Sequence, residues 1–307
     1  MKKEVRIFCP ATVANVNCGF DALGFALDGV GDEMVFQKTT QKGISITAIT
    51  GADLPSDPKK NVAGVAGQSL LDAVNADFGV AIEIHKKIRP GSGIGSSSAS
   101  AAGAVYGINQ LLEHPVSPLA LTRHAMKGEA LASGNEHADN VAPCLYGGIT
   151  LVSGYTPLQI VALPSLDSVF VGIIHPHIVI HTKQARALLP TQVPLKDAIT
   201  QAQKLAGFVA SLYEWDKALF SQSLKDVLIT PHRKTLIPHY DQIESCAIHH
   251  NCIAFGISGS GPSLFALAFA KADIDQFLES STKIFKKHQL QVDTYSSSIS
   301  GQGCHII

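Results

Sequence analysis

Residues 90–103 read Pro90-Gly91-Ser92-Gly93-Ile94-Gly95-Ser96-Ser97-Ser98-Ala99-Ser100-Ala101-Ala102-Gly103. Glycines at alternate positions open the left-handed backbone region and let a bulky ligand come close. The serines and alanines that follow suit a helix, predicted over residues 96–112. The first N–H groups of a helix have no intrahelical partner, and its dipole adds positive potential there. The guest this favours is an anion such as a phosphate chain. A serine hydroxyl at the same place also suits a magnesium ion. The stretch lacks the Gly-Lys-Ser/Thr ending of a Walker-type loop and contains no Gly-x-Ser-x-Gly elbow. Taken alone, it fits an ordinary glycine–serine turn capping a helix equally well.

Outward from this loop, strands and helices mix without regular alternation. Strands are predicted at 5–9, 33–39, 44–49 and 80–85, the last with Ile82 and Ile84 alternating with Glu83 and His85. Helices are predicted at 61–74, where Val62, Val65, Ala66, Leu70 and Val74 share a side, and at about 119–132. A strand at 149–152 follows Gly147-Gly148. The second half reads as strands at 169–174, 252–257, 263–268 and 291–295, with helices at 182–189, 197–213 and 273–287. Such a mixture argues for an α+β fold with two lobes rather than a doubly wound sheet. The boundary is expected near residues 153–165.

Composition limits the function classes. At 307 residues, with 46% hydrophobic and 16% charged, the chain is long and apolar enough for a packed core of about two domains. Lys plus Arg number 24 against 25 Asp plus Glu, for a net charge of −1. That balance disfavours nucleic acid as the main partner. The start, Met1-Lys2-Lys3-Glu4-Val5-Arg6, leads straight into a strand without an apolar leader, and Leu264 to Ala270 is too short to span a bilayer. Six scattered cysteines (9, 18, 144, 246, 252, 304) without a Cys-x-x-Cys pair read as reduced thiols of a cytoplasmic protein, with no membrane partner.

Two more stretches belong with the loop. One is Pro10-Ala11-Thr12-Val13-Ala14-Asn15-Val16-Asn17-Cys18-Gly19-Phe20-Asp21-Ala22-Leu23-Gly24; the other is Phe255-Gly256-Ile257-Ser258-Gly259-Ser260-Gly261-Pro262-Ser263. Together the three resemble the motifs of the GHMP kinases, and among these the homoserine kinase family is the best match. Two further segments carry that match: His137-Ala138-Asp139-Asn140-Val141-Ala142-Pro143 and Thr182-Lys183-Gln184-Ala185-Arg186-Ala187-Leu188-Leu189-Pro190. The similarity is collinear from residue 5 to at least 265. The chain departs from the family at Asn17-Cys18-Gly19, where members carry Gly-Pro-Gly or a similar small pair, and at Ile94, where leucine is common.

The resemblance implies a ribosomal-protein-S5-domain-2-like N-terminal lobe (1–155, binding ATP) and a ferredoxin-like α/β sandwich C-terminal lobe (156–307). It implies transfer of the ATP γ-phosphate to the side-chain hydroxyl of L-homoserine, on the route to threonine, with Mg2+, and it suggests a homodimer. By the same resemblance, Pro90, Gly91, Ser92, Gly93, Ile94, Gly95, Ser96, Ser97 and Ser98, with Gly259, hold the phosphates. Asn61 and Val62 border the adenine, and Ser97 and Glu129 match the magnesium ligands. Arg186 and Arg233 match the carboxylate grip, Asn15 and Asp21 the surroundings of the amino group and reacting hydroxyl, and His137 the same pocket. Thr182 and Asn140 complete the catalytic set. Without the motifs, Glu129 reads as a solvated helix carboxylate and each arginine as a surface ion pair.

The general base stays open between two routes. Asn140 stands near where mevalonate kinase-like relatives use an aspartate, and an amide cannot take a proton. Either Asp21 accepts the proton, or Asp21 only orients the hydroxyl and the phosphate accepts it; the second is favoured, because positioning and electrostatics carry most of phosphoryl transfer. Alternatives to the whole reading are a GHMP kinase for another small hydroxy acid and a non-catalytic ligand sensor. Cys246, His249, His250 and Cys252 match no standard zinc spacing. His175 and His177, with His181, read as pocket lining or a solvated loop rather than as metal ligands.

Overall fold

The computed structural model describes residues 3–164 and 168–307; the first two residues and the far end of the expected boundary, residue 165, lie outside the described part. The first ten elements are β1 (Glu4–Ala14), β2 (Leu23–Thr39), β3 (Gly43–Thr50), α1 (Val62–Ala73), β4 (Gly79–His85), α2 (Ser96–Asn109), α3 (Pro118–Ser133), α4 (Val141–Tyr146), β5 (Ile149–Tyr155) and β6 (Leu158–Leu163). There follow β7 (Phe170–Pro176), α5 (Thr182–Ala187), α6 (Leu195–Glu214), α7 (Lys217–Ser223), α8 (Thr230–Arg233), α9 (Tyr240–His249), β8 (Ala254–Ile257), β9 (Leu264–Ala268), α10 (Lys271–Lys287), β10 (Val292–Ser298) and β11 (His305–Ile306).

The first sheet runs β11-β1-β2-β4-β3, with β5 beside the start of β2 and β6 beside β5. β2 is long enough, at 17 residues, to serve both arms: Leu23–Phe25 pair with β5 and Glu33–Thr39 with β4. The β1–β2 register shifts between Pro10 and Thr12. Pro10 has no N–H to give the ladder, so the pairing breaks there and β1 turns toward the phosphate loop.

Helix α2 is buried on nearly every side, as an alanine-rich helix with no charged face must be. α1 packs beside it, started by Asn61, whose side chain accepts from the Ala63 N–H. α3 is started by Ser117 with Pro118 behind it and stopped by Gly134 in the left-handed region.

The second sheet, β10-β7-β9-β8, is antiparallel throughout. Its two faces separate by the strand period. Ile174, Leu264, Ala266 and Ala268 pack on α9 and α10 through Ile243, Phe277 and Phe285. Val171, Ile173, Phe265 and Leu267 share one apolar core with the first sheet and with Phe208 and Phe220 of α6 and α7. Each such fully buried side chain contributes about 1.5–3 kcal/mol, and this shared core is what holds the two sheets together.

The expected cut after residue 155 falls inside the β5–β6 hairpin, and β11 returns to β1, where the Ile307 N–H bonds the Arg6 carbonyl. The first sheet therefore contains the end of the chain as well as its beginning. All six cysteines are free and all but Cys252 are buried. Among the described residues, no helix is long and apolar enough to cross a membrane.

Candidate active site

Residues 90–95 lead from β4 into α2, whose first turn is Ser96–Ser98, over a buried charge pair. Lys86 Nζ meets Asp32, the Ser96 carbonyl (2.8 Å) and Ser100 Oγ (3.2 Å). Asp32 Oδ1 accepts from the N–H groups of Lys87 (2.7 Å) and Ile88 (2.9 Å). Both ions are thus matched by several partners, as a buried pair requires. They fix where β4 ends and α2 begins.

The loop then closes against the third glycine motif. Ser258 Oγ donates to the Gly93 carbonyl (2.7 Å), and the Ser263 N–H donates to the Ser92 carbonyl (3.1 Å). A Cβ on Gly93 would sit 2.5 Å from the Gly261 carbonyl oxygen. Gly95, at φ 73°, caps α2, and a Cβ there would lie 2.1 Å from Thr12 Oγ1. The first helical bond runs from the Ala99 N–H to the Gly95 carbonyl. It leaves the N–H groups of Ser96, Ser97 and Ser98 outside the ladder, at the mouth of a cavity of about 410 Å3 that these serines line.

The first motif forms the facing wall. Asn15, Val16, Asn17 and Asp21 all have positive φ, at 71°, 44°, 56° and 55°. Left-handed backbone costs a non-glycine residue roughly 1–2 kcal/mol, and more is asked of the β-branched Val16. Side chains hold the turn. Asn15 Nδ2 donates to the Gly259 carbonyl (2.8 Å), and its Oδ1 accepts from the Asp21 N–H (3.0 Å). Asn17 Nδ2 donates to the carbonyls of Phe255 (2.8 Å) and Leu224 (3.1 Å).

Asp21, His137, Arg186 and Arg233 meet at one end of the cavity. Arg186 Nη2 donates to both Asp21 oxygens, at 2.8 and 2.9 Å, and lies 3.2 Å from His137 Nε2. An imidazole nitrogen facing a guanidinium accepts, which puts the ring proton on Nδ1, 3.8 Å from Asp21 Oδ1. Burial depresses the His137 pKa, against the pull of Asp21, so the ring is neutral at pH 7. Arg233 is buried; Nη1 donates to the Gly259 carbonyl (3.0 Å) and burial lowers its pKa. Both guanidinium groups lie over the Phe20 ring, at 5.3 Å for Arg186 and 5.0 Å for Arg233. Among the described residues, the buried Arg186 Nε has no hydrogen-bond partner, leaving a donor for an incoming acceptor.

Toward the loop, Glu129 of α3 is buried and accepts from Ser97 Oγ (3.1 Å) and Ser98 Oγ (2.9 Å). Burial raises its pKa, opposed by those two hydroxyls. No cation pairs with it among the described residues, so a buried carboxylate faces the cavity with hydroxyl partners only. Asp139 lies between it and the acceptor end. Burial first, then the neighbouring Asp21 and Glu129 charges, push its pKa up to about 7. Asn140, which starts α4, holds its side-chain oxygen 2.8 Å from Thr12 Oγ1.

Two family models match the chain: the GHMP kinases N-terminal domain over residues 61–148 and the GHMP kinases C-terminal domain over residues 205–287. Homoserine kinase of Chlorobium phaeovibrioides is 36% identical, covering 99% of this chain and 100% of the relative. Homoserine kinase of Methanococcus vannielii is 37% identical, covering 99% and 98%. The chain belongs to the homoserine kinase family. The crystal structure of homoserine kinase from Cytophaga hutchinsonii superposes with a TM-score of 0.95 at 42% identity, over 100% of this chain and 98% of that one. A mevalonate kinase structure, at 13% identity and a TM-score of 0.71, shares the fold.

Of the residues that the family resemblance singled out, Asn15, Asp21, Asn61, Val62, Pro90, Gly91, Gly93, Gly95, Ser96, Ser97, Ser98, Glu129, His137, Asn140, Thr182, Arg186, Arg233 and Gly259 all line this cavity. Ser92 and Ile94 do not: both side chains are buried beneath the loop, so only their backbone belongs to it. Glu129 and Arg233 are buried rather than solvated, and Arg186 pairs within the cavity rather than on the surface. His181 lines the cavity, whereas His175 and His177 meet Asp293 away from it.

Sequence reasoning missed Asp139, Lys86 and Thr12. Asp139 stood in view, one position before Asn140. Lys86 reads as one of two adjacent surface lysines, and nothing local shows that its partner, Asp32, is 54 residues away.

Proposed function

We propose that the protein transfers the γ-phosphate of ATP to the side-chain hydroxyl of L-homoserine, giving O-phospho-L-homoserine and ADP. The observation that carries this reading is the Asp21–Arg186 pair at the acceptor end of a cavity whose other end is a helix N-terminus. A zwitterionic acceptor offers a carboxylate to Arg186 and Arg233 and an ammonium to Asp21 and Asp139. It can therefore exchange one charge pair for two without leaving an ion unpaired.

The triphosphate lies along Gly91–Ser98, its oxygens facing the free N–H groups of α2, with the base toward Leu54, Pro55, Asn61 and Val62. Ser97 and Glu129 offer a hydroxyl and a carboxylate, hard oxygen donors that fit Mg2+ and leave room for its waters. When bound there, the ion would neutralise charge on the β and γ phosphates. Asn15, Asn140 and Thr182, with Asp21, line the cavity between phosphate and acceptor and restrict the hydroxyl to an in-line approach. Asp21, released from Arg186 by the incoming carboxylate, orients the acceptor, and the transferred phosphoryl oxygen takes the hydroxyl proton.

A coupled ADP-release assay over L-homoserine, L-serine, L-threonine, mevalonate and shikimate tests the reading. Homoserine should give the highest kcat/KM by at least tenfold. Preference for an acid without an amino group would make the protein another hydroxy-acid kinase, and ATP binding without any turnover would make it a sensor.

A further inference from the structure

Where the second sheet meets the phosphate-loop side of the molecule, His175, His177 and Asp293 come together. Asp293 of β10 pairs directly with His175 of β7, and His177 follows that strand by one residue. One ligand atom from each lies within 4.8 Å of the others. His177 Nε2 is 3.0 Å from Asp293 Oδ2, and His175 Nδ1 is 3.6 Å from it.

Among the described residues, neither of these buried nitrogens makes a well-directed hydrogen bond, and Asp293 is an ion-pair contact for each. Both nitrogens face the same carboxylate oxygen, Asp293 Oδ2. A tetrahedral divalent metal with bonds of about 2.0–2.1 Å holds its ligand atoms about 3.3–3.4 Å apart. The two nitrogen–carboxylate separations bracket that value, and the two imidazole nitrogens lie within 4.8 Å of each other. The imidazoles are tilted by 43° with centroids 5.7 Å apart, so they are not stacked on each other.

We propose that His175, His177 and Asp293 form a site for one borderline divalent transition metal, of the Zn2+ or Co2+ type, with water completing the shell. Two imidazoles and one carboxylate are the donor set such ions select, whereas Mg2+ prefers oxygen throughout. The site is separate from Ser97 and Glu129. Arg89, which precedes the phosphate loop, places Nε 2.9 Å from Asp293 Oδ2 and is the resident cation of the cluster. A bound metal competes with Arg89 for that oxygen, or leaves it there and takes the other.

The test titrates the metal-free full chain with Co2+ alone, followed by its visible d–d absorption, and then displaces it with Zn2+. One equivalent should bind without a thiolate charge-transfer band, and equimolar Mg2+ should not compete. His177→Gln and Asp293→Asn, both at partly exposed side chains, should each weaken binding at least tenfold. Their far-UV circular dichroism and melting temperature in chelator should stay at the wild-type values. Arg89→Gln, which removes the competing cation without touching a ligand, should tighten binding several-fold. The proposal is overturned by no Co2+ binding at millimolar metal, by displacement with equimolar Mg2+, or by affinity unaltered in all three variants.

Discussion

Asp21 presents both carboxylate oxygens to a single guanidinium nitrogen of Arg186, 2.8 and 2.9 Å away. The two residues are 165 positions apart and come from different lobes. Asp21 stands on a strained turn held by Asn15, and Arg186 on a short helix, so the pair closes the acceptor end of the cavity as a removable plug of opposite charges.

Arg186→Lys keeps the charge and loses the planar fork. A charge-assisted hydrogen bond contributes about 1.5–3 kcal/mol, equivalent to roughly a 10- to 150-fold rise in KM. That rise should fall on homoserine, with KM for ATP within about twofold of wild type. Steady-state kinetics with each substrate varied in turn checks it; an equal rise in both would place Arg186 outside the acceptor grip.

Asp139 makes stability depend on pH with an unusual sign. Its carboxyl titrates near 3.8 when unfolded and at about 7 when folded. Between those values the folded chain holds a proton that the unfolded chain has lost, so this residue's contribution falls as pH rises from about 4 to 7. The full shift corresponds to at most roughly 4 kcal/mol. Asp139→Asn should therefore raise stability at pH 7.5 relative to wild type, leave it near wild type at pH 4, and lower kcat/KM for homoserine. Urea unfolding at several pH values reads the first two, and a wild-type difference independent of pH would contradict them.

Glu129→Gln removes a buried charge that, among the described residues, has hydroxyl partners and no direct ion pair, Lys86 acting on it only from a distance. The folded state should lose no stability, because an amide has no charge to desolvate. Turnover should drop at least a hundredfold, and the Mg2+ concentration needed for half-maximal rate should rise. Melting curves beside a Mg2+ titration of activity separate these effects.

Gly91 and Gly93 both have positive φ, at 75° and 85°, but only Gly93 abuts other backbone. A Cβ on Gly91 meets nothing within 4 Å and points into open space. Gly91→Ala should cost about 1–2 kcal/mol of backbone strain and raise KM for ATP in a folded protein. Gly93→Ala must push the two glycine motifs apart, so its melting temperature should be the lower by several degrees.

Much of this site was legible in the sequence because its motifs are local. The Gly91–Ser98 loop, the Asn15–Asp21 turn and the Ser258–Ser263 turn each carry their own backbone chemistry within a few residues. Long-range partners were not legible: Lys86 finds Asp32, and Asn17 ties down Phe255 and Leu224, through contacts that no spacing reveals. The fold followed the same division. Periodic segments such as 62–73 and 197–213 read correctly as helices, because a single apolar stripe decides them. The short elements α4, α7, α8, β6 and β11 were missed, being too brief to show a period. The first half of β2 was missed as well, since Leu23–Ala26 is buried on both faces and shows no alternation.

The most direct measurement follows the phosphorus itself. With ATP, Mg2+ and L-homoserine, 31P NMR should show the γ resonance replaced by one phosphomonoester resonance, growing in step with ADP and coupled to the terminal methylene protons of homoserine. ADP appearing with free phosphate alone, or an unchanged ATP spectrum at saturating homoserine, would contradict transfer to that hydroxyl.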